Sequence, residues 1–234
     1  MEYNYRIPHL SFGSPMTPIV KKLLIISGAV FLLQAIVGYH MNPIFGLVPV
    51  LVWHKYFLWQ LGTYIFLHGD FFHLLFNLFA LWMFGCELER YWGSRVFLKY
   101  FFITGIGAAI CTVLITPNLI IPTIGMSGAI YGILLAYGWS FPNRLIYIYF
   151  LFPIKAKYFV MIFGVIELYA SLGGTGGGIS HITHLGGMVF GIIYLNYPGI
   201  WRSLYKYYMK WKWIKLKKRY KVINGEKERD DTFH

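Results

Sequence analysis

The sequence predicts an all-α polytopic membrane protein: six transmembrane helices in one bundle, with an interfacial segment between helices one and two. Three observations carry that prediction. Hydrophobic residues fill 57% of the 234 positions and aromatics 20%, while only 13% are charged, a balance far more apolar than that of a soluble domain. Six windows, on the scale of the roughly 20 residues a hydrocarbon core requires, begin near Ile19, Phe71, Val96, Ser127, Tyr158 and Ser180. With a cytoplasmic amino terminus, 20 of the 21 Lys and Arg residues fall inside and only Lys55 outside. The inverted topology would break the positive-inside bias, so the net charge of +12 reads as a membrane signal rather than a nucleic-acid footprint.

Residues 1–18 contain Glu2 and three prolines and show neither a secretory leader nor a mitochondrial presequence, so helix one is expected to serve as its own insertion signal. Residues 40–67 are apolar but broken by Pro43, Pro49, His54, Lys55 and Gly62. Rich in Trp53, Tyr56, Phe57, Trp59 and Tyr64, they suit an amphipathic element in the outer interface. Cys86 and Cys111 fall in or beside helices two and three and read as packing residues, not a disulfide. Residues 117–126 carry two prolines and a glycine; irregular backbone at membrane depth must be buried in protein or line a wet cavity. Helix four is therefore expected to be short, from Ser127 to about Phe141, with Ser127 at the floor of a water-filled depression.

The run from Gly173 to Gly178 is permissive of unusual backbone angles and reads either as a plain flexible external turn or as a hinge that lets helix five move as a gate. After helix six, residues 198–234 form a basic tail. There Trp201, Leu204, Tyr205, Tyr208 and Trp211 share one helical face with Arg202, Lys206, Lys210 and Lys217 displaced from it, a pattern for an anionic lipid surface. No repeat or second domain is evident. The organisation reads as a cytoplasmic segment 1–18, a six-helix domain 19–197 and a cytoplasmic tail 198–234.

The chemistry concentrates in three helices. Gly125-Met126-Ser127-Gly128 opens helix four, and His184 precedes Gly187 and Gly191 in helix six. A serine at a helix amino terminus has unpaired amides and the positive dipole end around it, which favour a developing oxyanion. Gly128, Gly132 and Ala136 form a small-residue stripe that matches Gly187 and Gly191, so the two backbones can approach closely. That approach brings His184 toward Ser127 and toward Tyr131, whose ring can stack on the imidazole. Singly, Ser127 reads as a serine bonding its own helix and His184 as a packed histidine; together they read as a nucleophile and its base. No carboxylate is expected as a third member, since Glu167 lies on another helix. In helix two, His73 and Asn77 share a face at a spacing of four and can both donate to an oxyanion. Buried polar groups at membrane depth are expensive, which favours the functional reading over a structural polar pair. There is no His-Glu-x-x-His motif, Ala129 stands where an α/β-hydrolase elbow needs glycine, and metal binding by His68, His73, His181 and His184 is disfavoured.

On these motifs the chain resembles the rhomboid intramembrane serine proteases in their minimal six-helix form, over about residues 19–197. The resemblance implies that Ser127 is the nucleophile, His184 in His-x-x-Gly-x-x-x-Gly the base, and His73 with Asn77 the oxyanion pair. Glu89, before Arg90 and Gly93, looks like the family's structural glutamate. In the outer loop the family often carries a Trp-Arg pair, whereas here Gln60 follows Trp59, a change expected to weaken the loop more than catalysis. The likeness implies cleavage of transmembrane segments of other membrane proteins without metal or cofactor, with helices two and five as the lateral entrance. The basic aromatic tail points to lipid contact rather than a nucleic-acid partner, the charge bias to cytoplasmic termini, and the short amino terminus to a bacterial inner membrane. The alternatives are a non-proteolytic rhomboid-like binder of membrane clients and, further away, a six-helix transporter.

Overall fold

A computed structural model describes residues 15–148, 152–172 and 181–197. The glycine run 173–178 and the basic tail 198–234 lie outside the described residues, so the gate hinge and the lipid-binding face expected there have no structural account. The described residues up to Leu195 belong to one compact unit.

The first helix, α1, spans Pro18–Val37. Pro18 sits where a missing N–H is no loss, because the first amides of a helix have no intrahelical partner. Two of those amides are satisfied from far along the chain: Ile19 and Val20 donate to the Glu89 carboxylate at 3.0 Å each. Ser94 Oγ donates to the same group at 2.5 Å, and Glu89 is only 2% exposed. Glu89 is thus an N-terminal cap that ties two helices together.

Between α1 and the next long helix the prolines and glycines break the chain into short turns: α2 (Met41–Phe45), α3 (Pro49–Lys55) and α4 (Gln60–Thr63). A folded knot of such pieces must pair its own polar groups, and Gln60 does much of this. It is fully buried; its Nε2 donates to Pro43 O at 2.9 Å and its Oε1 accepts from Val48 N at 3.0 Å. Trp59 Nε1 donates to Ile44 O at 2.8 Å and Trp53 Nε1 to Val113 O at 3.1 Å, which anchors the segment to the bundle.

A continuous helical rod runs from Phe71 to Trp92, as α5 (Phe71–Ala80), a π turn (Leu81–Gly85) and α6 (Cys86–Trp92). Gly85 in the π turn packs among Phe97, Leu81 and Val20, with a built Cβ meeting each at 3.1–3.2 Å. After a turn at Gly93, α7 (Ser94–Ile115) crosses the centre of the unit, burying Phe97, Tyr100, Phe101, Thr104 and Ala108. Then come α8 (Ser127–Ser140), α9 (Ala156–Leu172) and α10 (His181–Asn196). Among the described residues, three helices are long and apolar enough to cross a membrane: α1, the Phe71–Trp92 rod and α7.

The all-α expectation needs one correction. Leu145–Ile148 and Phe152–Lys155 form an antiparallel pair, β1 and β2, with Ile146 opposite Ile154 and Tyr147 opposite Pro153. β-branched and aromatic side chains there favour extended backbone, and the short link between α8 and α9 is satisfied by pairing with itself. The exterior is apolar: Ile36, Phe72, Phe76, Val165, Tyr169 and Leu172 are 65–83% exposed. In water such a surface would aggregate.

Candidate active site

Residues 117–126 owe their order to the outer segment. Leu47 and Thr123 pair reciprocally at 2.9 and 2.8 Å, Val50 N reaches Leu119 O at 3.3 Å, and Gly125 N donates to Tyr64 O at 2.9 Å. The polar backbone groups at Leu47, Val50, Leu119, Thr123 and Gly125 are thus paired within protein, as irregular backbone at membrane depth requires, while Pro117, Asn118, Ile120 and Ile121 stay exposed and, of residues 117–126, only Gly125 and Met126 are buried. Gly125 has φ +115, in the region that favours glycine, and a Cβ built on it would lie 2.7 Å from His73 Nε2. The next turn starts α8, with Ser127 as its first residue and partly exposed.

Across from it, α10 comes as close as backbones allow. A Cβ on Gly187 would lie 1.9 Å from Gly128 O, and one on Gly128 would lie 2.7 Å from Ala108 Cβ and 3.1 Å from Thr183. Gly191 faces Gly132 in the same way, 3.6 Å from built Cβ to Cα. Thr112 and Thr183 share a hydrogen bond of 2.6 Å that locks α10 to α7. This contact delivers His184 Nε2 to 2.8 Å from Ser127 Oγ. Tyr131, one turn into α8, stacks on the imidazole with centroids 4.3 Å apart and planes 11° apart.

His73 stands on the other side of Gly125. Its Nδ1 accepts from Gly69 N at 3.4 Å, so the ring proton belongs on Nε2, the atom that faces Gly125. Asp70 caps α5 through a 2.8 Å bond from His73 N and sets the helix start. Asn77 is 7% exposed and spends one amide hydrogen on the backbone carbonyl of His73 at 2.8 Å, which holds its side chain against its own helix. His73, Ser127 and His184 each lie within the first turn of their helices, so three positive dipole ends converge on one spot.

A rhomboid domain model matches residues 56–198, which include every one of these side chains. The chain belongs to the rhomboid family. It is 36% identical over 137 residues to the rhomboid protease GluP of Bacillus subtilis, covering 57% of this chain and 24% of that protein. It is 28% identical over 134 residues to the mitochondrial rhomboid protein 1 of Saccharomyces cerevisiae, covering 55% and 38%. Against the putative rhomboid protease YdcA of Bacillus subtilis it is 40% identical over 90 residues, covering 38% and 45%. The chain thus spans less than half the length of these relatives. Family membership and the apolar helices together make it an integral membrane protein.

In this rhomboid the expectation that no carboxylate lies near the histidine is wrong. Glu167, 6% exposed on α9, places Oε1 3.0 Å from His184 Nδ1, although the approach is too oblique for a well-aligned hydrogen bond. The same carboxylate accepts a short hydrogen bond from Tyr131 OH and pairs with His181 Nδ1 at 2.7 Å. The sequence held a signal for it: Glu167 is the only carboxylate in the apolar run of α9, and an ionisable residue at membrane depth is a functional candidate by default. Being on another helix was no reason to discount it, since helices in a bundle meet side by side.

Glu167, His181 and His184 offer ligand atoms within 4.8 Å of one another. Zinc ligands at about 2.0–2.2 Å in tetrahedral array stand about 3.3 Å or more apart. The nitrogen–oxygen separations of 2.7 and 3.0 Å are tighter than that, so the trio is arranged as a hydrogen-bonding cluster rather than as a coordination shell. Glu89 lies outside the site altogether; its role is the α1 cap.

Proposed function

We propose that this rhomboid is an intramembrane serine endopeptidase that cleaves transmembrane segments of other membrane proteins, with Ser127 and His184 as its catalytic dyad. The observation that carries the reading is the 2.8 Å contact between Ser127 Oγ and His184 Nε2 at a partly exposed helix amino terminus. The relatives named as proteases, GluP and YdcA, support the same class.

The steps follow from the groups present. His184 Nε2 accepts the Ser127 hydroxyl proton as Oγ attacks the scissile carbonyl. Negative charge then gathers on the carbonyl oxygen, where the Ser127 amide, His73 Nε2–H and the free amide hydrogen of Asn77 are the available donors. Gly125 leaves that pocket open, because a side chain there would occupy the space beside His73 Nε2. His184 returns the proton to the leaving amine, and water repeats the sequence on the acyl-serine. Nothing in this path calls for a metal or cofactor. Tyr131 holds the imidazole plane by stacking, and Gly128, Gly187 and Gly191 hold the helices close enough for the contact.

In this reading α8, α9 and α10 complete six crossings, α8 being short because its start lies below the outer surface. The positive-inside count puts both termini in the cytoplasm, and a bacterial inner membrane is the proposed location. Residues 19–197 form the protease domain, and the basic tail 198–234 meets lipid. The exposed faces of α5 and α9 form the lateral entrance for a substrate helix.

The test is labelling of detergent-purified protein by a fluorophosphonate probe beside Ser127→Ala and His184→Ala. Labelling of the wild type that disappears in both variants is the expected result. A folded wild type that takes no label would remove the protease reading and leave the client-binding one.

A further inference from the structure

We infer that Glu167 is a positioning residue for His184, which makes the working unit Ser127–His184–Glu167 rather than a dyad. The inference rests on the proposed proteolytic role of Ser127 and His184. Three observations lead to it.

The first is the proton inventory of His184. For Nε2 to accept from Ser127 Oγ, the imidazole must carry its hydrogen on Nδ1. That atom is buried, has no well-aligned acceptor, and has Glu167 Oε1 at 3.0 Å. A buried N–H without an acceptor costs about 1–3 kcal/mol. Turning the ring or shifting α9 slightly aligns the bond, and catalytic hydrogen bonds commonly tighten only once substrate is bound. In the other tautomer Nε2 carries the hydrogen and cannot take the serine proton.

The second is charge. Proton transfer turns His184 into an imidazolium at the convergence of three helix amino termini, where the dipoles oppose a cation. The titratable groups around it are Tyr131 of α8, Glu167 of α9, His181 of α10 and His73 of α5. Of these, Glu167 alone supplies negative charge. The arrangement that favours an oxyanion on one side therefore needs a carboxylate on the other.

The third is how firmly the carboxylate is held. Tyr131 OH bonds Oε1 and His181 Nδ1 bonds Oε2, so both oxygens are fixed before His184 is considered. Tyr131 thus meets both partners: its ring stacks on the imidazole and its hydroxyl orients the acid. Because Glu167 belongs to α9, the pairing of acid and base depends on how that helix seats against α8 and α10.

The experiment measures the rate constant of phosphonylation, kinact, and the probe affinity, KI, in wild type, Glu167→Gln, Glu167→Asp and Ser127→Ala, with thermal unfolding of each. Glu167→Gln keeps the shape and an acceptor oxygen but removes the charge. It is expected to lower kinact by about 10- to 100-fold with KI unchanged, and Glu167→Asp to recover part of the loss. Labelling with 15N-histidine should show His184 protonated at Nδ1 in the wild type. Glu167→Gln reacting at the wild-type kinact, a parallel loss of KI, kinact and melting temperature, or His184 protonated at Nε2 would each overturn the assignment while leaving the dyad intact. A wild type as inert as Ser127→Ala would instead remove the dyad and this inference with it.

Discussion

Among the described glycines Gly187 leaves the least room for a side chain, and Gly187→Ala tests that contact. A methyl group on Gly187 would sit 1.9 Å from Gly128 O and 2.8 Å from Gly128 C. Both are backbone atoms, so no rotamer change relieves the clash. Real Cβ atoms essentially never come within 3.0 Å of such neighbours, so α10 would have to retreat from α8 by about 1 Å, far beyond the slack of a close-packed interface. Overpacking of this kind costs about 1–3 kcal/mol. The same retreat stretches the 2.8 Å Ser127–His184 contact beyond hydrogen-bond range, and a 1 Å misplacement of reacting groups costs about 100-fold in rate. The measurements are thermal unfolding in detergent and the fluorophosphonate labelling rate. Expected are a lower unfolding temperature and labelling slowed about 100-fold. Gly191→Ala should be milder, since its methyl meets side-chain rather than backbone atoms, the Tyr100 hydroxyl at 2.6 Å and Leu135 Cδ2 at 3.0 Å, although it disturbs the Tyr100 bond to Gly132 O. Wild-type labelling and melting in Gly187→Ala would refute the close-packing argument.

Two further outcomes follow from long-range polar contacts. Glu89→Ala uncaps α1 at Ile19 and Val20 and strands Ser94 Oγ, so it should destabilise by about 1–3 kcal/mol. Thermal unfolding reads the loss, and the labelling rate of the folded fraction should stay unchanged because Glu89 lies away from the site. Gln60→Leu leaves Val48 N–H and Pro43 O without their partners, at about 1–3 kcal/mol each. Limited proteolysis should then cut residues 40–67 faster, whereas wild-type resistance would show that water or a rearranged loop replaces the glutamine.

Much of the scaffold was legible in the chain because it depends on local pattern. The long apolar windows at Ile19, Phe71 and Val96 correspond to helices that start at Pro18, Phe71 and Ser94, within two residues of the reading. The glycine stripes likewise predicted contact between α8 and α10, since only glycine permits it. Misreadings came where a residue's partner lies far off in sequence. Gln60, read as a departure that bore on loop stability, stitches that loop together through bonds 12 and 17 residues away. The β1–β2 pair went unseen because two four-residue strands carry too little periodicity to stand out in an apolar chain.

The sequence by itself determined the membrane class, the helix starts, and which side chains are candidates for chemistry, because apolar length, charge bias and the cost of buried polar groups act position by position. Only the tertiary structure decided what those side chains meet. Glu89 caps a helix 70 residues earlier, and Glu167 reaches Tyr131 across 36 residues and His184 across a helix boundary. The physical reason is that a charge in an apolar bundle must find a partner wherever packing brings one, and packing depends on how whole helices fit together rather than on local sequence.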